Sequence, residues 1–111
     1  MTTLKIIDII GSKNAVTHSF GLKVFEVVSQ YLAKNEKVCL SFLEVKNITS
    51  GFCNASVGKL YLEFPKNAST LLTFSGISKE IWKEKIDSSI NLASSSQLLS
   101  INDTAINELF Q

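Results

Sequence analysis

The chain has 111 residues, 45% of them hydrophobic and 19% charged, enough for one domain with its own core and too few for a second. Lys+Arg total 11 against 10 Asp+Glu, a net charge of +1, and every one of the basic residues is Lys. No guanidinium fork is available to grip phosphates or guanine edges, so nucleic-acid binding is not expected.

Residues 4–10, Leu-Lys-Ile-Ile-Asp-Ile-Ile, form a β-branched run closed by Gly11-Ser12-Lys13-Asn14, which predicts a strand and a turn. Lys5 and Asp8 interrupt this first apolar stretch, and no run reaches the roughly 18 apolar residues of a membrane span. A cytoplasmic protein with no membrane partner is expected. From residue 19 the period changes. Phe20, Val24, Val27, Val28, Tyr31 and Leu32 recur at spacings of three and four, which predicts an amphipathic helix over 19–34 with Thr17 or Ser19 as its N-cap. Residues 38–43, Val-Cys-Leu-Ser-Phe-Leu, are the nearly continuous apolar run of a central strand covered on both faces.

Asn47-Ile-Thr-Ser-Gly51 then makes a polar turn opening a second helix, with Phe52, Ala55, Leu60 and Phe64 inward and Pro65 as its stop. Residues 69–74 predict a third strand, broken by Ser75-Gly76. A third helix follows to about residue 93, with Ser78 as N-cap and Ile77 and Trp82 as the two ends of a hydrophobic staple. Ser94-Ser95-Ser96 reads as a loosening. Beyond it, residues 97–111 carry Leu98, Leu99, Ile101, Ile106, Leu109 and Phe110, an apolar segment that a short helix capped by Asp103 or Thr104 would suit, or a strand equally well. The order β-α-β-α-β-α with a C-terminal element argues for an α/β domain, one sheet packed by helices, over 1–96, followed by an interface element over 97–111. Phe25, Val28, Leu40, Phe42, Leu60 and Leu72 are its expected core.

No constellation of catalytic residues emerges. Phosphate-binding glycine motifs and the nucleophile elbow are missing from the chain. His18 is the only histidine, and Cys39 and Cys53 sit in apolar segments, so a metal site lacks ligands and both cysteines read as reduced, buried side chains. Neither a metal nor another cofactor is expected. Glu80 and Glu84 alternate with Lys79, Lys83 and Lys85 as a solvated helix face. Four Asn-x-Ser/Thr sequons, at Asn47, Asn54, Asn67 and Asn102, are coincidence in a chain rich in Asn and Ser.

The segment from Leu40 to Tyr61, Leu-Ser-Phe-Leu-Glu-Val-Lys-Asn-Ile-Thr-Ser-Gly-Phe-Cys-Asn-Ala-Ser-Val-Gly-Lys-Leu-Tyr, resembles the core of the STAS-like domains. It is more distantly similar to the STAS fold of anti-sigma-factor antagonists. The resemblance implies a non-catalytic regulatory module that docks a protein partner with a histidine-kinase-like ATPase fold, through the strand-to-helix turn over 47–54. In the antagonists a Ser directly before Gly at that turn accepts a phosphoryl group, which places Ser50, with Thr49 as its neighbour, as the phosphoacceptor candidates. Asn47, Ile48, Gly51, Phe52 and Asn54 are the candidate partner contacts. Two positions depart from the pattern. Ser41 stands where the family's strand carries Asp, and Ile48 or Thr49 stands where the antagonists carry an acidic residue. Two other readings compete: a structural protein that self-associates as a homo-oligomer through 97–111, and a domain binding a small molecule at the start of the second helix.

Overall fold

Strands Thr2–Lys5 (β1), Asn14–Ala15 (β2), Val38–Ser41 (β3), Asn47–Ile48 (β4) and Leu72–Ser75 (β5) alternate with helices in the computed structural model, which describes the backbone of residues 1–106 and the side chains of residues 1–94. The helices are Ile6–Ile10 (α1), His18–Ala33 (α2), Ser50–Cys53 (α3), Lys59–Glu63 (α4), Pro65–Leu71 (α5) and Glu80–Ile106 (α6). A π-helical turn, Asn54–Gly58, joins α3 to α4 without leaving right-handed helical geometry, so residues 50–63 form one continuous helix. The main sheet is parallel, in the order β1-β3-β5, and helices pack it; β2 and β4 form a separate two-residue parallel ladder. This is a mixed α/β fold with a small parallel sheet. Among the described residues no helix is long and apolar enough to cross a membrane.

β3 is central and all four of its residues are buried, as the apolar run at 38–43 predicts for a strand covered on both faces. Val28, Leu40, Phe42, Leu60 and Leu72 lie in the core. Phe25 does not: it is half-buried, with the Lys59 ammonium 4.9 Å from its ring centroid, so a lysine stem takes the place of core side chains over it.

The strand expected over 4–10 is mostly helix. β1 ends at Lys5, and Ile6 and Ile10, one turn apart, are both buried on α1, which Gly11 terminates in the left-handed conformation at φ 69°. The strand expected over 69–74 likewise begins at Leu72. Pro65 stops one helix and starts the next at its first position, where its missing N–H costs nothing. Ser69 and Thr70 turn their hydroxyls back onto the carbonyls of Pro65 and Lys66 and remain helical. Ser78 does not cap α6, which begins at Glu80 with its first backbone bonds to the Lys79 carbonyl. Trp82 is buried and Ile77 packs against the same core. The α6 backbone also runs through Ser94-Ser95-Ser96 to Ile106, so residues 97–106 continue that helix without the break or the separate cap expected at Asp103 or Thr104. The interface expected of Leu98, Leu99, Ile106, Leu109 and Phe110 concerns side chains outside the described residues.

The helix over 50–63 is sandwiched between α2 and α6. On the α2 side the approach is very close: a Cβ built on Gly21 would lie 2.6 Å from both the Phe52 carbonyl oxygen and the Ala55 Cβ. On the α6 side Gly58 faces Ser89 with ordinary room, 3.5 Å to the nearest atom. Opposite outcomes are therefore expected from one substitution at two helical glycines. Gly21→Ala should destabilise by about 1–3 kcal/mol, because a backbone carbonyl cannot step aside. Gly58→Ala should be neutral or stabilising by up to about 1 kcal/mol, the propensity gain of Ala over Gly. Urea unfolding midpoints of the two variants against the parent check this.

Candidate functional site

The turn before the second helix starts from a ladder that sequence reading does not anticipate. β2 and β4 pair in register, Asn14 with Asn47 and Ala15 with Ile48, and the Asn47 side chain donates to the Asn14 side chain at 2.7 Å. Each of these short strands leads straight into a helix capped by a threonine. Thr17 Oγ1 accepts from the Phe20 N–H at 3.0 Å at the start of α2. Thr49 Oγ1 accepts from the Phe52 N–H at 3.2 Å at the start of α3, and also donates to the Val16 carbonyl at 3.0 Å. The second bond ties the start of one helix to the chain entering the other. Two helix N-termini thus begin side by side on one ledge, with His18, Ser19, Ser50 and Gly51 exposed along it.

The candidate residues divide between ledge and core. Asn47, Ser50, Gly51 and Asn54 are exposed; Thr49 is half-buried; Ile48 and Phe52 are buried. Phe52 is fully buried and Ile48 is 6% exposed, so neither side chain is presented to a partner, and their part is to anchor the turn. That corrects two of the expected contacts for a simple reason: they are the two large apolar side chains of the turn, and the core claims both. Thr49 has both hydrogen-bonding roles of its hydroxyl occupied, whereas the Ser50 hydroxyl makes no hydrogen bond among the described residues. The Asn54 side-chain oxygen accepts from the buried Ser89 hydroxyl at 2.6 Å, which holds the ledge to α6. The turn also stands further from the main sheet than its sequence suggests. β3 ends at Ser41, and β4 comes between it and the helix.

Behind the turn the helix is buried almost all round. Phe52, Cys53, Ala55, Ser56, Val57 and Gly58 are all buried, and the Ser56 hydroxyl bonds the Phe52 carbonyl at 2.8 Å inside the π turn. The sequence signal for this was available: from Ile48 to Gly58 no residue carries a charge. Burial pushes the Cys53 thiol up from 9.0 to about 11, against a weaker downward pull from the Lys85 charge. Both cysteines are buried free thiols. His18 opens α2 as an exposed residue, and among the described residues no group of His, Cys, Asp and Glu is placed to hold a metal ion.

Two outcomes follow from this geometry. Thr49→Ala should cost about 0.5–2 kcal/mol as a lost cap, while Ser50→Ala should stay within about 0.5 kcal/mol of the parent, measured by chemical denaturation. The Cys53 shift gives a pH signature. Its folded form keeps the proton more tightly than the unfolded chain, so the associated stability is whole below pH 9 and is lost as pH rises to about 11. Burial raises Tyr61 in the same direction from 10.0. The stability of the parent should fall through this alkaline window, and that of Cys53→Ala should fall less steeply.

No curated protein and no solved structure matches the chain. A family model does, described as a STAS-like domain of unknown function (DUF4325), and it spans residues 21–82, from α2 through the ledge and the buried helix to the first turn of α6. With more than half of the chain inside that match and a small parallel sheet packed by helices around the turn that carries the resemblance, the protein belongs to the STAS-like domain family.

Proposed function

We propose that this domain is a non-catalytic regulatory binding module, that it docks a partner protein on the ledge formed by Asn47, Ser50, Gly51 and Asn54, and that phosphorylation of Ser50 releases the partner. STAS-like domains are generally non-catalytic, and the family's likeness to anti-sigma-factor antagonists favours a partner with a histidine-kinase-like ATPase fold. The observation that carries the reading is the division of labour between two adjacent hydroxyls. Thr49 is spent on capping the helix and bonding Val16, while Ser50, next to Gly51, is exposed and unbonded.

A phosphoryl group on Ser50 would bring about −2 charge to the contact. The free domain tolerates that charge, because Ser50 is in the first turn of a helix whose N–H groups favour an anion. The switch therefore acts on the complex and leaves the fold alone. A cluster of buried side chains directly behind the turn gives it a fixed backing, so a charged group on the ledge cannot be absorbed by local rearrangement.

The test begins with a pulldown using the chain as bait to obtain the partner, followed by titration calorimetry with Ser50→Asp, Ser50→Ala and Thr49→Asp. Ser50→Asp is expected to fold normally and to weaken the complex by about 1–3 kcal/mol, with Ser50→Ala close to the parent. Thr49→Asp should lose stability along with binding, since it disturbs the bond to Val16. If Ser50→Asp binds as tightly as the parent, the phosphorylation switch is wrong.

A further inference from the structure

Charge is spread unevenly along this chain, and the ledge collects one sign of it. Residues 9–25 and 45–62, which build the ledge and the helices opening from it, contain Lys13, Lys23, Lys46 and Lys59 and no Asp or Glu. All 10 acidic side chains lie outside both segments. Of the acids that border them, Glu44 faces Lys5 at 3.9 Å and Glu63 pairs with Lys59 at 2.9 Å. Asp8 belongs to α1, and Glu26 is about 12 Å down α2 from His18. On α6, Glu80 and Asp87 line a separate cavity with Phe74 and Ile77, whereas the α6 charge that reaches Cys53 behind the turn is Lys85.

The backbone brings two of these lysines together. The Lys46 N–H donates to the Lys13 carbonyl at 2.8 Å, directly before the Asn14–Asn47 pair of the ladder, and both residues are exposed. They form one end of the ledge. Beyond them the N-termini of α2 and of the 50–63 helix add partial positive charge, and Lys23, 5.8 Å from the Phe20 ring centroid, carries the same sign along α2. Beside Thr49 is Val16, an apolar side chain that is 39% exposed and whose carbonyl receives the Thr49 hydroxyl. An apolar contact rimmed by charge is the make-up of a protein interface. Four lysines without an arginine neutralise too few phosphates for a nucleic-acid surface.

We propose that the partner docked on this ledge presents an acidic protein surface, with Lys13 and Lys46 as its charge contacts and Val16 as its apolar one. The inference rests on the reading of the ledge as a docking face and gives that partner its chemistry. Asn47, Ser50, Gly51 and Asn54 are uncharged and small or polar, so they supply fit and hydrogen bonds but no long-range attraction. The lysines supply it, steering an acidic surface onto the ledge. They also give the Ser50 switch a physical basis. A phosphoryl group of about −2 charge cancels the two positive charges of Lys13 and Lys46, and the attraction is lost.

An acidic probe tests the surface without the partner. Titrating the isotope-labelled full chain with a peptide of about twelve glutamates at low salt should move the amide NMR signals of residues 13–19 and 46–51. The shifts should vanish at about 300 mM NaCl and in Lys13→Glu/Lys46→Glu, whose circular dichroism should match the parent. Shifts centred on Lys79, Lys83 and Lys85, no shifts at all, or equal shifts in the double variant overturn the proposal. So does a single-stranded DNA oligonucleotide of equal charge that moves the ledge signals more strongly, since it assigns the surface to nucleic acid. With the partner captured by pulldown, Lys13→Glu/Lys46→Glu should raise the Kd at least about tenfold and Val16→Asp should also weaken the complex. A complex weakened by Ser50→Asp but indifferent to the double variant and to salt refutes the acidic partner and leaves docking on the ledge standing. A complex weakened by the double variant but not by Ser50→Asp keeps the acidic partner and removes only the phosphorylation switch.

Discussion

The approach of Gly21 to the Phe52 carbonyl sets the spacing on which the rest of the molecule depends. Any side chain at position 21 would enter the backbone of the facing helix, and Gly alone lets α2 and the 50–63 helix lie this close. Close contact of two backbones leaves the later helix little exposed surface, and α6 covers much of what remains. That accounts for the run of buried residues from Phe52 to Gly58 interrupted only at Asn54. It also accounts for their chemistry: small or apolar side chains throughout, with the one buried hydroxyl, Ser56, satisfied on the helix's own carbonyl.

The same spacing positions the turn. With both helices held side by side, the residues just before them fall into a parallel ladder, and the Thr49 hydroxyl reaches the Val16 carbonyl across it. The turn is then fixed from three directions: Ile48 and Phe52 into the core, Thr49 onto the neighbouring chain, and Asn54 onto Ser89 of α6. What remains outward without a side-chain tether is Ser50 and Gly51, between the exposed but bonded Asn47 and Asn54. A rigid backing with a free hydroxyl on it is what a contact sensitive to a single added charge requires.

The helices and the central strand were legible in the sequence where one physical rule acted alone. Val24, Val28 and Leu32 follow helical spacing and are buried on α2, and the Val38–Ser41 run is buried on both faces of β3. Legibility failed where two rules competed. Ile6, Ile7, Ile9 and Ile10 have strand-forming side chains, yet Ile6 and Ile10 at one-turn spacing and the left-handed Gly11 favour a helix, and tertiary burial decided for it. Pro65 reads as a stop and is equally a start. At the candidate site the turn itself was readable from Asn47-Ile-Thr-Ser-Gly51, including the rivalry of Thr49 and Ser50 for the cap. The sorting of exposed from buried side chains was not, because it depends on β2 and Gly21, some 30 residues earlier in the chain, whose pairing leaves no local mark.

Native-state hydrogen exchange at the turn is the most direct measurement of the claim that a buried cap supports an exposed, unencumbered Ser50. The Phe52 amide, bonded to the Thr49 hydroxyl, and the Cys53 amide, bonded to the Thr49 carbonyl, should exchange only through openings close to global unfolding. The Ser50 and Gly51 amides, in the first turn where no intrahelical acceptor exists, should exchange orders of magnitude faster. Equal and fast exchange at all four positions would mean that the turn opens as a unit, and the rigid ledge would have to be abandoned.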